Sequence, residues 1–180
     1  MKDIALHILD VANNSVSAKA KLVEITIDEQ TTTNSLTITI KDNGKGMSPD
    51  FLNRVTDPFT TTRTTRKIGM GIPLLKQNAE ITGGSLTIES IENVGTTLKA
   101  VFALDHIDRP PLGDIAGVIT ILITGNPKID FIYIQQINNK NIKFDTREIK
   151  EALEDTPINN PQIVKYINEM IQEGINEIYI

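Results

Sequence analysis

KDNGKGM, residues Lys41 to Met47, is the stretch on which the reading of the fold turns. Taken alone it is a hairpin turn, because Asn43-Gly44 is a favoured dipeptide for a tight reversal between strands. A hairpin needs a returning strand, but the next residues are SPDFLNRV, with Ser48 placed to cap a short helix and Pro49 suited to its first turn. The bend therefore leads out of a strand into something other than that strand's partner. A buried carboxylate at a strand end can accept a hydrogen from the exocyclic amine of a base, while Gly44 and Gly46 let a ring approach the backbone closely.

Upstream, LVEITID (Leu22 to Asp28) and SLTITIKD (Ser35 to Asp42) alternate apolar and polar residues around the polar stretch EQTTTN, as two paired antiparallel strands do. Before them, Ile4, Ile8 and Val11 form one helical stripe and Ala5, Leu9, Ala12 and Val16 the adjoining one, which predicts a helix of about four turns. Downstream, DPFTTTRTTRKIGMG is rich in Thr, Arg and Gly with little periodicity and reads as a mobile loop. A helix over Ile72 to Ile81 comes next, closed by Gly83-Gly84, and then SLTIESI and TTLKAVFAL pair as strands around the turn ENVG. The expected fold class is α+β: a two-layer α/β sandwich with a mostly antiparallel sheet and helices on one face.

HIDRPPLGD, His106 to Asp114, carries two adjacent prolines that neither donate backbone hydrogen bonds nor continue a helix, so 106–114 reads as a linker. The expectation is a first domain over 1–105 and a small C-terminal α+β domain over 115–180. The latter would hold a helix from Ile115 to Ile123, a hairpin from Phe131 to Phe144, and helices near Thr146 to Leu153 and Pro161 to Glu173.

The chain has 180 residues, enough for a sizeable core, and its 39% hydrophobic and 23% charged residues are ordinary for a soluble globular protein. No run approaches the roughly 18 apolar residues of a membrane span, and the opening MKDIALHILD lacks the apolar block of a secretion signal. With no cysteine, disulfides and thiolate metal sites are excluded, and a cytoplasmic location is the expectation. A net charge of −5 without a concentrated basic face gives no reason to expect nucleic acid as a partner.

On the first helix, His7, Asp10 and Asn14 fall within about 60° of one another at about 100° per residue. By itself the group is the polar face of a solvated helix, weakened by Asn13-Asn14-Ser15. As a site it would supply a carboxylate to orient or deprotonate water and an amide oxygen for a hard cation such as Mg²⁺. Periodicity alone does not separate Asn13 from Asn14. Gly69 and Gly71 in KIGMGIPLL open a helix, where free N–H groups and the helix dipole favour phosphate. Neither GKGMSP nor GMGIPL has the third glycine of a Rossmann loop, and no GK[ST] of a P-loop occurs.

In order and spacing these pieces resemble the GHKL (Bergerat-fold) ATPase family, which includes gyrase B subunits, MutL-type mismatch-repair proteins, sensor histidine kinases and anti-sigma-factor serine kinases. DVANNSVSAKA looks like the N box, DNGKGM the first glycine box, DPFTTT the F box of histidine kinases, and GMGIPLL the second glycine box, over residues 4 to 104. The resemblance makes 1–105 an ATP-binding domain and implies ATP and Mg²⁺ as cofactors. It assigns Asp10 as the catalytic carboxylate, Asn14 as the Mg²⁺ ligand, and Asp42 as the reader of the adenine amine. Gly44, Gly46, Met47, Gly69, Gly71 and Thr96 would line the nucleotide. Lys67, where a glycine is frequent in the family, would meet phosphates with Arg63 or Arg66.

Sensor histidine kinases carry their phosphoacceptor histidine in a dimerisation domain ahead of this unit, whereas six residues precede His7 here. Self-phosphorylation in that layout is not expected, and His7 is assigned a structural or supporting role. His106, at the linker, reads as an ordinary surface residue. The gyrase-type transducer domain with its phosphate-binding lysine is not recognisable in 105–180. The expected function is a histidine-kinase-like Mg-ATP protein that hydrolyses ATP slowly or phosphorylates a protein partner in trans. The alternative is a nucleotide-dependent regulatory binding module without turnover, and a homodimer stays open. A carboxylate at position 10 favours chemistry over a pure switch.

Overall fold

The structure is a computed structural model that describes residues 2–57 and 70–180. The elements run α1 (Ile4–Ser17), β1 (Leu22–Gln30), β2 (Ser35–Asp42), α2 (Pro49–Arg54), α3 (Gly71–Ile81), β3 (Ser85–Ile91) and β4 (Gly95–Ala103). Then come α4 (Ile115–Gly125), β5 (Asp130–Ile137), β6 (Lys140–Asp145), α5 (Thr146–Leu153) and α6 (Pro161–Ile178). The expected mixed α+β class is what the chain adopts.

The strands form one open sheet in the order β3-β4-β2-β1-β5-β6. Every described pairing is antiparallel except that of β1 with β5. Alternation in β1 and β2 puts Val23, Ile25, Ile27, Leu36, Ile38 and Ile40 on a single face, each at most 2% exposed. Onto that face α1 brings Ile4, Ala5, Ile8, Val11 and Ala12, and α3 brings Ile72, Leu75 and Ala79, all buried. At roughly 25 cal/mol per Å² of apolar area removed from water, this sandwich is the main favourable term holding α1 to the sheet.

Local signals set the element ends. Asp3 caps α1 by accepting from Leu6 N at 2.9 Å, and Ser48 caps α2 by accepting from Phe51 N at 3.3 Å, as its sequence predicts. α1 runs on through Asn13-Asn14-Ser15, and Ser15 donates its hydroxyl to Asp42 at the end of β2 rather than to its own backbone. At the end of α3, Gly83 (φ +81°) and Gly84 donate to Glu80 O and Ala79 O, both at 2.9 Å.

The C-terminal third has the expected helix, hairpin and two helices, but its placement differs from an appended unit. β5 lies parallel to β1 from Leu22↔Asp130 to Glu29↔Ile137, so the hairpin extends the first sheet. α4 packs on α1 and α6 on α4, and one apolar core runs through both segments. The proline stretch is built in as well: Ile4 N donates to Pro111 O at 2.9 Å and Ala5 N to Leu112 O at 2.8 Å. Prolines lack donors but keep their carbonyls, and here backbone carbonyls of the stretch satisfy the first free N–H groups of α1. At the far end of the sheet, Tyr179 after α6 donates to Glu29 of β1.

Candidate functional site

The site grows from the point where β2 ends beneath α1. Asp42 is the last residue of β2, opposite Val23 on β1 and Thr96 on β4, so its side chain points to the core face. There Ser15 Oγ donates to Asp42 Oδ2 at 2.6 Å, and Gly44 N donates to Asp42 Oδ1 at 2.8 Å. Two charge-assisted bonds from two directions fix the carboxylate plane. A carboxylate has about four acceptor positions, so capacity remains for a further donor.

The bend after Asp42 is held from outside. Asn43 Oδ1 accepts from Lys21 N at 2.8 Å and Leu22 N at 2.9 Å, and Lys45 N donates to Ala18 O at 2.9 Å. Thus the end of α1, the start of β1 and the bend are tied together. Gly46 takes φ +66°, and a Cβ there would lie 2.1 Å from Ile91 O, so both conformation and space require glycine. Met47 is half-buried, and its N–H donates to Ser90 Oγ at 2.8 Å, while Ser90 Oγ is 2.8 Å from Thr96 Oγ1. Register puts Ser90, Thr96 and Asp42 side by side on one face.

The second half lies where α1 meets α3. Asp10 is half-buried, and its Oδ2 would be 1.7 Å from a Cβ on Gly71 at the start of α3. The missing side chain of Gly71 is what lets the carboxylate sit against that helix start. Among the described residues Asp10 Oδ2 is buried without a partner. Asn14, a turn later, is half-buried while Asn13 is exposed, which separates the two asparagines that periodicity left together. His7 is 1% exposed and meets Asn78 of α3, with 2.9 Å between ring Nε2 and the amide nitrogen. Desolvation in this buried place lowers its pKa below the usual imidazole value.

The structure thus brings Asp10 and Gly71 together at the α1–α3 junction, with Asn14 one turn on along α1, and Asp42, Gly44, Gly46, Met47 and Thr96 to the β2 end. Lys67, Gly69, Arg63 and Arg66, with most of the loop before α3, lie outside the described residues. His106 is at the surface and within 3.9 Å of Asp108. Three residues join the site that sequence reading gave no contact: Ser15, Ser90 and Asn78. Ser90 was legible in principle, since the turn ENVG pairs Ile91 with Gly95 and hence Ser90 with Thr96.

A cleft of about 360 Å³ also touches Asp42, Asn43, Gly95 and Thr96. Its remaining wall includes Glu24, Lys41, Glu89, Ile91 and Thr97, whose register parity is opposite to that of Asp42 and Ser90. Those side chains stand on the sheet face away from α1, while Asp42, Ser90 and Thr96, which also border the cleft, belong to the carboxylate site. Among the described residues no group of three or more His, Cys, Asp or Glu side chains has metal-binding geometry, and no helix is long and apolar enough to cross a membrane.

Residues 2–106 match the family model for histidine kinase-, DNA gyrase B- and HSP90-like ATPases. Similar curated proteins include the sensor histidine kinase ZraS of Salmonella typhi, 31% identical over 54% of this chain and 20% of its own length. Another is the sensor histidine kinase YvrG of Bacillus subtilis, 28% identical over 52% of this chain and 17% of its own. The chain therefore spans about a fifth or less of these relatives. Among solved structures, the Aquifex aeolicus MutL ATPase domain complexed with ADP aligns with TM-score 0.50 at 16% identity, over 86% of this chain and 68% of that one. The N-terminal domain of a DNA repair protein aligns with TM-score 0.52 at 17% identity, over 81% and 52%.

Proposed function

The chain belongs to the histidine kinase-, DNA gyrase B- and HSP90-like ATPase family, and on that footing we propose that it binds Mg-ATP and either hydrolyses it or phosphorylates a partner protein in trans. The observation that carries this reading is the Asp42 carboxylate, fixed by Ser15 and the Gly44 N–H at a glycine-flanked strand end. A carboxylate so held, with acceptor capacity to spare, suits one hydrogen of the adenine amine. Gly44, Gly46 and Met47 would border the ring, and Thr96, beside Asp42, would serve the same end through its hydroxyl.

Asn14 offers a half-buried amide oxygen on the same helix as Asp10. That suits Mg²⁺, which keeps several waters and takes only one or two protein oxygens alongside phosphate. When bound, the ion would neutralise charge on the phosphates. Asp10, set against the first turn of α3, would orient the attacking oxygen and take its proton. Gly71 keeps room for that carboxylate, and the free N-terminal N–H groups of α3 would suit phosphate charge. Lys67 and Gly69 keep the phosphate-side roles their sequence positions assign. In transfer, the γ-phosphorus gains a bond to the incoming oxygen, its bond to the β-phosphate bridge breaks, and ADP leaves. A protein partner and a cytoplasmic setting, the latter read from the sequence, are further parts of the proposal.

The test is calorimetric titration of the full chain with Mg-ATP, followed by phosphate release and by transfer of γ-labelled phosphate to proteins of a cell extract. Binding with either release or transfer supports the reading. No binding overturns it, and binding without release or transfer leaves a nucleotide-gated binding module.

A further inference from the structure

Neighbouring strands of the sheet change character at one level. On the face that carries α1, β2 runs Leu36, Ile38, Ile40 and then Asp42, and β4, followed back from its end, runs Phe102, Ala100, Leu98 and then Thr96. β3 runs Leu86, Ile88 and then Ser90. Register sets the last members in a row, Asp42 opposite Thr96 and Thr96 opposite Ser90. Apolar side chains would have continued the core here, so the polar row marks where the sandwich stops and a polar ligand edge can be met.

Ser90 is the hub of the row. Its Oγ accepts from Met47 N at 2.8 Å, lies 2.8 Å from Thr96 Oγ1 and lies 3.1 Å from Gly95 O. A cross-strand Ser–Thr pair is ordinary by itself, but this hydroxyl also takes up the N–H that follows Gly46 in the bend. A hydroxyl has one hydrogen to give, so the pair has two arrangements. In the first, Ser90 donates to Gly95 O, Thr96 donates to Ser90, and Thr96 offers a ligand only lone pairs. In the second, Ser90 donates to Thr96, and the Thr96 hydrogen is left for a ligand acceptor. Passing from the first to the second gives up only the Gly95 bond, which at 3.1 Å is longer than the usual O–H···O range. The 2.8 Å bond is kept with its direction reversed.

We propose that Ser90 is a positioning residue for base recognition: by donating to Thr96 it makes the Thr96 hydroxyl a donor beside the accepting carboxylate of Asp42. The row then reads an amine next to a ring nitrogen that carries no hydrogen. Adenine presents that edge with its amine and N1, whereas guanine presents a carbonyl and an N–H at the same places. The inference deepens the nucleotide reading of the site and rests on it.

The test is calorimetric titration of the full chain, as wild type, Ser90→Ala and Ser90→Thr, with the Mg complexes of ATP and two analogues. One is 1-deaza-ATP, which keeps the amine and has C–H in place of N1; the other is purine riboside triphosphate, which keeps N1 and lacks the amine. Wild type should bind 1-deaza-ATP about threefold to tenfold more weakly than ATP, the worth of one neutral hydrogen bond. Ser90→Ala should bring that ratio close to one and leave the ratio of ATP to purine riboside triphosphate, which reads the amine, unchanged. Ser90→Thr, which restores a hydroxyl, should restore the first ratio. A purely structural serine predicts instead that Ser90→Ala weakens all the nucleotides by a common factor. That result overturns the positioning role while ATP binding stands. So does equal binding of ATP and 1-deaza-ATP by wild type, a ratio that survives in Ser90→Ala, or one that Ser90→Thr does not restore. If wild type binds none of the nucleotides, the nucleotide reading itself fails and the proposal falls with it.

Discussion

Asp42 and Asp10 are the two carboxylates of the site, and the fold finishes the surroundings of one while leaving the other incomplete. Asp42 accepts from Ser15 Oγ and Gly44 N, and its bend is tied through Asn43 to Lys21 and Leu22. Among the described residues Asp10 has a buried oxygen with no partner, beside a glycine that leaves it space. A buried acceptor left unmade costs about 1–3 kcal/mol, so the α1–α3 junction carries strain that a ligand can relieve and the β2 end does not. The difference fits a recognition half built before ligand arrives and a chemical half completed by it.

The largest effect is expected of Asp10→Asn, which keeps shape and removes the proposed base. Turnover should fall roughly 10²- to 10⁴-fold while ATP affinity, read by calorimetry, changes little. Equal loss of affinity would merge the two halves. Next is Gly71→Ala, whose methyl collides with the Asp10 carboxylate, the movable end of a side chain. Phosphate release should drop about tenfold or more, with a thermal midpoint close to that of wild type. Gly46→Ala probes the finished half. A left-handed alanine costs about 1–2 kcal/mol before the clash with Ile91 O, so the melting midpoint should fall by several degrees, roughly 2–4 °C per kcal/mol at this size. The smallest effect is acid sensitivity at His7. Its folded pKa is lowered, so below about 6.5, where the unfolded imidazole takes up a proton more readily, stability falls as pH falls. Denaturant midpoints from pH 7.5 down to 5.5 should decline in wild type and less so in His7→Gln.

The first helix, the strands and the Ser48 cap were legible because each is written in a local pattern or a local polar side chain. The β1–β5 pairing was not. β1 shows the sequence only that one of its faces is buried, and nothing in LVEITID says which strand will occupy its second edge. Pro110 and Pro111 mislead for a related reason: they announce missing donors, while the stretch is used here through carbonyls that reach Ile4 and Ala5 across more than a hundred residues of chain. At the site, the positions on α1 and at the strand end could be read from spacing. The hydrogen bonds of Ser15 and Asn78 could not, because each is made to an element distant in sequence.

Asp42 is proposed to read the amine of adenine, and inosine triphosphate lacks that amine. Calorimetric titration of wild type and Asp42→Ala with Mg-ATP and with Mg-inosine triphosphate isolates it. Wild type should prefer ATP by about tenfold or more, the worth of a hydrogen bond to a charged group, and Asp42→Ala should lose that preference along with most of its ATP affinity. Equal affinity of wild type for the two nucleotides, or a preference that survives in Asp42→Ala, would contradict the account.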